Sequence, residues 1–386
     1  MAVLLCGCGH RAERTIPPGA IPIVYTDYIF VQGLVDSVPC NILLDTGADN
    51  LYLDSVFYAA SGLYYPRTHL QRVRGIGNSY QNILIIGDSL DFRFYGRRYR
   101  TSDVVVLMLK PVGGDFVDGL LGTSYFMQNL LLIDYVNGYV QNYPSLDSVD
   151  LEGFVRVPLN EHPYGFTTPV SIRVNDTLTL CGECLVDIGM PGTTLSSAEV
   201  ARFNLERIIE RKARYYSKYA GIGGESWGYD FVPDTVRMGD FCFMHPTVSF
   251  SIDSAGVLAE DGLMGVLGGN LLSRFDLLFD FVDTALYLRP NAHFAQPFVY
   301  DRMGFSYTDR YATKGGWVVA SITYGSQADL HGLRCDDLIV AVNGKPVSEI
   351  PYLEQAPLFE SLRRVDFTVR RSDTTLNIQF DLVSLL

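Results

Sequence analysis

The chain has 386 residues and a formal net charge of −13, with 48% hydrophobic and 19% charged residues. That length exceeds one ordinary core and predicts two or three domains, and the apolar fraction excludes a disordered chain. The negative charge argues against a nucleic-acid surface, which needs clustered Lys and Arg, and no run approaches the roughly 20 apolar residues of a membrane-spanning helix. Tyr and Phe are plentiful and lie in short runs with Val, Ile and Leu, bounded by Gly, Asp and Asn. That is strand-and-turn composition and predicts a mostly β protein.

Residues 1–20 carry an apolar patch that is too short for a secretory signal and lacks its basic start. Leu5-Cys6-Gly7-Cys8 nevertheless resembles the end of a bacterial lipoprotein signal, in which a small residue precedes a lipidated Cys. The resemblance implies lipidation at Cys8, membrane attachment through that lipid alone, and a place in the cell envelope, in the periplasm or on the outer surface. The polar, Pro-containing stretch that follows reads as a tether. The other reading is two unremarkable cysteines near a frayed end.

The next element, Asn41 to Asp54, places a carboxylate, Asp45, directly behind the apolar run Ile42-Leu43-Leu44. An ionised Asp in a dry setting is costly unless it is paired or hydrogen-bonded, so a partner carboxylate or donor is predicted. A short helix is predicted near Asp54-Ser55-Val56-Phe57-Tyr58, and Gly75-Ile76-Gly77 reads as a hairpin tip. Gly119-Leu120-Leu121-Gly122 opens a further apolar strand.

The same series then returns. Leu185-Val186-Asp187-Ile188-Gly189 matches the segment around Asp45, Gly221-Ile222-Gly223 matches Gly75-Ile76-Gly77, and Gly265-Val266-Leu267-Gly268 matches the glycine-flanked strand. The offset is 142 residues for the first pair and 146 for the other two. Matches in register with one small insertion define two lobes of similar size. In the second lobe the stretch from Ser196 to Ala220 reads as an amphipathic helix with a Ser start. Cys181, Cys184, Cys242 and His245 have the types for a zinc site. The last two fall on a strand, however, where residues three apart face opposite ways. A disulfide or free thiols are the preferred reading.

Two lobes that each supply one Asp can bring the carboxylates together on a pseudo-twofold axis. Carboxylates in contact cannot both ionise, so the pair shares one proton. On these residues the repeat resembles the retropepsin-like aspartic proteases in single-chain form. Asp45-Thr46-Gly47-Ala48 carries that family's signature, the two glycine-flanked strands match its second conserved strand, and the two Gly-Ile-Gly segments fall where it places its flaps. The resemblance spans roughly Ile21 to Pro290. It implies an aspartic endopeptidase with Asp45 and Asp187 catalytic and Thr46, Gly47 and Gly189 in support. Gly75, Ile76, Gly77, Gly221, Ile222 and Gly223 would lie over a protein or peptide substrate, with no cofactor and no metal. One departure stands out: Ile188 replaces the Thr whose hydroxyl, in the family, bonds across the lobe interface. With Met190 and Pro191 beside it, this suggests a repacked second loop, and it favours the rival reading of a non-catalytic peptide-binding protein. A serine peptidase is set aside because none of the six His has a suitable neighbour. A metallopeptidase is set aside for want of HExxH.

After Pro290 the pattern changes. Gly325-Ser326-Gln327-Ala328, Gly332-Leu333, Asp336-Asp337-Leu338-Ile339 and Val342-Asn343-Gly344 resemble a PDZ domain of the bacterial type. The resemblance implies strand addition by a peptide, its terminal carboxylate held by the loop Met303-Gly304-Phe305-Ser306. The other reading is a PDZ fold used only for packing on the lobes. The expected organisation is residues 1–20 as signal remnant and tether, 21–150 as the first lobe, 151–293 as the second lobe and 294–386 as the PDZ domain.

Overall fold

The computed structural model describes residues 16–74, 80–94, 96–127, 129–221 and 224–386. Strands dominate because apolar residues alternate along them. Ile29–Val35 buries Ile29, Val31 and Val35, and Leu90–Phe94 buries Leu90, Phe92 and Phe94. The strands carrying the two Asp residues instead end in continuous apolar runs. Ile42, Leu43 and Leu44 are all buried, as are Leu185 and Val186, because both faces of these strands are covered.

Among the described residues the sheet of the first lobe follows the spatial order Thr68–Arg74, Tyr80–Ile86, Val104–Leu107, Leu51–Asp54, Gly119–Leu121, Val38–Leu44, Ile29–Val35, Leu90–Phe94, Arg97–Thr101, with Val24–Tyr25 pairing beside Ile29–Val35 as a tenth strand. The second lobe repeats that order one for one: Lys212–Ser217, Ser226–Phe231, Val248–Ser251, Thr194–Leu195, Gly265–Leu267, Leu178–Val186, Gly165–Asn175, Thr235–Met238, Phe241–Met244. Strand directions agree as well. In each lobe the Asp-bearing strand runs parallel to its glycine-flanked neighbour.

A six-stranded sheet joins the lobes in the order Ile21–Pro22, Tyr139–Tyr143, Leu130–Asp134, Phe275–Asp280, Ala285–Pro290, Val155–Pro158. At its centre Leu132 pairs with Leu278. These residues are also equivalent in the repeat, so the pseudo-twofold axis passes between them. One apolar core runs through both lobes.

The predicted helix near Asp54 is present as Ser55–Ala60, with the Asp54 side chain accepting from the Val56 and Phe57 N–H groups. The long helix predicted from Ser196 to Ala220 is not. Helix Ser197–Phe203 ends at Asn204, which takes a left-handed conformation, and a short turn Leu205–Ile208 follows. Lys212–Ser217 is then a strand. Its pairing on both sides overrides a local pattern that fits either state.

The PDZ domain has its own core around Trp317, Phe367 and Phe380. Its strands are Phe305–Asp309, Trp317–Thr323, Leu338–Val342, Lys345–Pro346, Arg364–Arg371 and Thr374–Asp381. The predicted short helix, Gln327–Leu330, is capped by Ser326. Asn343 and Gly344 both take positive φ, as a two-residue hairpin turn requires.

Candidate active site

Each Asp is delivered by a parallel strand pair. Val38–Leu44 runs alongside Gly119–Leu121, and where it ends the Asp45 N–H donates to Leu121 O at 3.1 Å. In the second lobe the Asp187 N–H donates to Leu267 O at 3.0 Å. Each carboxylate then accepts from the glycine of its own signature: Gly47 N–H to Asp45 Oδ1 and Gly189 N–H to Asp187 Oδ1, both at 2.7 Å. The geometry is the same twice over.

The glycines also explain why the carboxylates meet. A Cβ on Gly47 would stand 2.5 Å from Asp187 Oδ2, and one on Gly189 would stand 2.3 Å from Asp45 Cγ. Each loop therefore yields its side-chain space to the opposite carboxylate. Gly122 and Gly268 are constrained similarly, with a Cβ falling 2.6 Å from the Ala48 carbonyl and 2.2 Å from the Gly192 carbonyl. The glycine-flanked strands thus press directly on the two Asp-bearing loops.

Asp45 and Asp187 lie within hydrogen-bond reach of each other. Burial, the neighbouring Asp187 charge and the hydrogen bond between them hold the Asp45 carboxyl well above its ordinary range. Asp187 is only 7% exposed, and burial raises it too, offset by the hydrogen bond to Asp45 and the N–H groups of Gly189, Gly47 and Met190. The proton belongs to the pair rather than to either residue.

Thr46 bonds across the interface as the resemblance implies. Its hydroxyl donates to Val186 O at 2.7 Å and accepts from Ile188 N–H at 3.1 Å. Ile188 is buried and packs in the common core. The second loop is not repacked around it, contrary to expectation. Gly269 N–H donates to Met190 O and Asn270 N–H to Pro191 O, both at 2.7 Å. These match Thr123 N–H to Ala48 O at 2.9 Å and Ser124 N–H to Asp49 O at 3.0 Å. Main-chain carbonyls make the bonds, so the changed side chains leave the frame intact.

Thr46→Val is expected to strand the Val186 carbonyl and the Ile188 N–H and to cost roughly 1–3 kcal/mol in denaturant unfolding. Ile188→Thr offers a hydroxyl to the mirror-related Leu44 carbonyl and Thr46 N–H. Its bond, worth about 0.5–1.5 kcal/mol, should offset most of the lost burial of two carbons, about 1.6 kcal/mol. The expected melting midpoint is close to wild type, and a marked fall would show that no partner is in reach.

Among the other candidate residues, Gly221 lies in a bend beyond the second hairpin's outer strand and has φ +57°. Gly75, Ile76, Gly77, Ile222, Gly223 and Cys8 lie outside the described residues. Cys181 is exposed and Cys184 buried, on opposite faces of one strand, and both are free thiols, as is Cys242. Gly224-Glu225-Ser226-Trp227-Gly228 has the spacing of a serine-hydrolase nucleophile turn. It opens a strand instead, and the buried Ser226 hydroxyl donates to Asp253 Oδ2 at 2.5 Å.

The PDZ loop departs from the arrangement that would hold a terminal carboxylate. Met303 N–H and Gly304 N–H already donate to the two oxygens of Asp301, at 2.8 and 3.0 Å. Ser306 N–H donates to Ser321 Oγ at 3.1 Å, and Phe305 is buried in the core. Asp301 therefore already takes two of that loop's N–H groups.

Two tyrosines carry no motif and were not legible beforehand. Tyr28 stands near enough to the dyad that Asp45 and Asp187, with Asp27 and Tyr352, add to the burial that drives its phenol above the ordinary range. Tyr352 comes from the PDZ domain and stacks on Phe116 of the first lobe, with ring centroids 5.1 Å apart. Both join an apolar cluster that also includes Ala48 of the first signature.

The PDZ domain family model matches residues 299–370. A search of curated proteins found no match. Among solved structures, the chain is similar to the aspartic proteinase from Irpex lacteus, at 16% identity and a TM-score of 0.46, covering 72% of this chain and 98% of that one.

Proposed function

We propose that the chain is an aspartic endopeptidase whose PDZ domain engages protein or peptide partners. The observation that supports it most is the meeting of Asp45 and Asp187, each on its own signature loop, with burial favouring a shared proton. In this reading the ionised carboxylate takes a proton from a water as the water attacks the scissile carbonyl. The protonated carboxyl donates to the carbonyl oxygen as it becomes an oxyanion. The tetrahedral intermediate then collapses with protonation of the leaving amine, and no covalent enzyme intermediate forms. Ile188 does not weigh against this, because the main-chain frame it sits in is unchanged and the Thr46 hydroxyl still bonds across the interface.

The test is incubation with a mixed peptide library, read by mass spectrometry, for wild type and Asp45→Ala. New internal cleavages with wild type that are missing with the variant support the reading. A library left intact by wild type from acidic to neutral pH would return it to a peptide-binding protein.

A further inference from the structure

The two lobes are alike strand for strand, yet their hairpins end differently. In the first lobe the outer strand Thr68–Arg74 closes the sheet, with no further strand beside it among the described residues. In the second, the outer strand Lys212–Ser217 continues into the PDZ domain. It pairs with Trp317–Thr323 through Tyr215 and Thr323, Tyr216 and Ile322, and Ser217 and Ser321. The pairing extends at both ends, with Tyr324 N–H donating to Arg214 O at 2.8 Å and Lys218 N–H to Ala320 O at 2.9 Å. Beyond the strand, the Lys218 ammonium and the Tyr219 hydroxyl both donate to the Asp336 carboxylate, the latter at 2.7 Å.

The PDZ domain is itself fastened to the first lobe. Asp115 accepts from Arg310 Nε at 3.0 Å and from the Thr313 hydroxyl and N–H at 2.7 and 2.8 Å. The Asp115 N–H donates to Asp309 O at 2.7 Å. A hairpin paired along its outer edge to a domain anchored on the opposite lobe has lost the freedom of an exposed edge. Edge pairing is also how a PDZ domain takes an extended partner. Here Trp317–Thr323 makes an edge pairing of that kind inside the chain.

We propose that the PDZ domain, through strand Trp317–Thr323 and Asp336, is a clamp that positions the second-lobe hairpin beside the substrate cleft, with Asp336 a positioning residue for substrate binding. The proposal rests on the endopeptidase reading for its effect on substrate. The clamp itself does not depend on that reading. It gives the PDZ domain a role in cleavage separate from recruitment, and it predicts an asymmetric pair of hairpins.

Two full-chain variants test it. Lys218→Pro removes the N–H given to Ala320 and the ammonium given to Asp336, while that N–H points away from the hairpin's inner strand. Asp336→Ala removes the anchor, and Asp336→Glu, which meets the same backbone strain at φ +69° but keeps a carboxylate, is the control that isolates the carboxylate. Hydrogen exchange at 212–217 should quicken about two- to tenfold in Lys218→Pro and Asp336→Ala, the loss of one or two modest bonds. In the peptide assay KM should rise by a similar factor with kcat retained, and Asp336→Glu should restore part of the loss. Unchanged exchange in both variants overturns the clamp. Faster exchange with an unaltered KM overturns its positioning role. Exchange is read without turnover, so a wild type that cleaves nothing refutes the endopeptidase reading while the clamp is still decided.

Discussion

Asp45→Asn and Asp187→Asn are each expected to abolish peptide cleavage, with kcat/KM falling by about 10²–10⁴ or more, because each loses a proton-transfer group that the other carboxylate cannot replace. Both variants should fold. An Asn at 45 keeps an oxygen for the Gly47 N–H and turns an amide toward Asp187, so no hydrogen bond is stranded. If either variant kept wild-type turnover, the residue replaced would have no part in the chemistry.

The same variants should move stability the other way, and the sign follows from the raised pKa. Burial and the neighbouring charge lift Asp45 above its unfolded value, and burial lifts Asp187. A carboxyl whose folded pKa is raised contributes its stability fully below the unfolded pKa, near about 3.9, and loses it as pH rises through the folded value. The wild-type dyad therefore becomes a liability toward neutral and alkaline pH, where the second proton leaves and two charges face each other. Asp45→Asn removes that liability. Its melting midpoint should exceed wild type at pH 8, and the gap should narrow as pH falls toward 4. The activity profile should show the matching pair of limbs. The acid limb is protonation of the ionised carboxylate and the alkaline limb is loss of the shared proton, both displaced upward from ordinary carboxylate values.

The Asp pair, its glycines and the two-lobe architecture were legible because each leaves a local mark. An apolar run stopped by Asp is costly unless something meets it, and the glycines stand where a Cβ would strike the opposite carboxylate. The repeat carried this from one lobe to the other. What escaped was set by partners distant in sequence. Lys212–Ser217 shows no clean alternation of burial, so nothing local marks it as a strand. It is one because Ser226–Phe231 pairs on one side and Trp317–Thr323 on the other. Asp301, two residues before Met303, reads as an ordinary turn residue until its carboxylate is seen taking the N–H groups of the PDZ loop. The repacking expected around Met190 and Pro191 failed for a related reason. Side-chain identity was read as evidence about a frame that main-chain carbonyls hold.

Gly189→Ala should be as damaging to activity as loss of a carboxylate, and by a purely steric route. Neither Gly47 nor Gly189 needs a positive φ, so an Ala at either position meets no backbone penalty. What it meets is the dyad: the new methyl at 189 would lie 2.3 Å from Asp45 Cγ and 2.5 and 2.7 Å from its oxygens. A carbon cannot stand there, and Asp45 has little room to withdraw, because its carboxylate is tied to the Gly47 N–H and its own N–H to Leu121. Relief must come from parting the two loops, which breaks the contact between carboxylates and strains the Thr46 bonds to Val186 and Ile188. Overpacking of this kind costs roughly 1–3 kcal/mol, so the protein should still fold at 25 °C while cleavage disappears. Gly192→Ala supplies the control within the same loop, since a Cβ there has no atom within 4 Å. Its activity and melting midpoint should match wild type. An active Gly189→Ala would mean that the carboxylates do not need their close approach, and the shared proton on which the dyad depends would go with it.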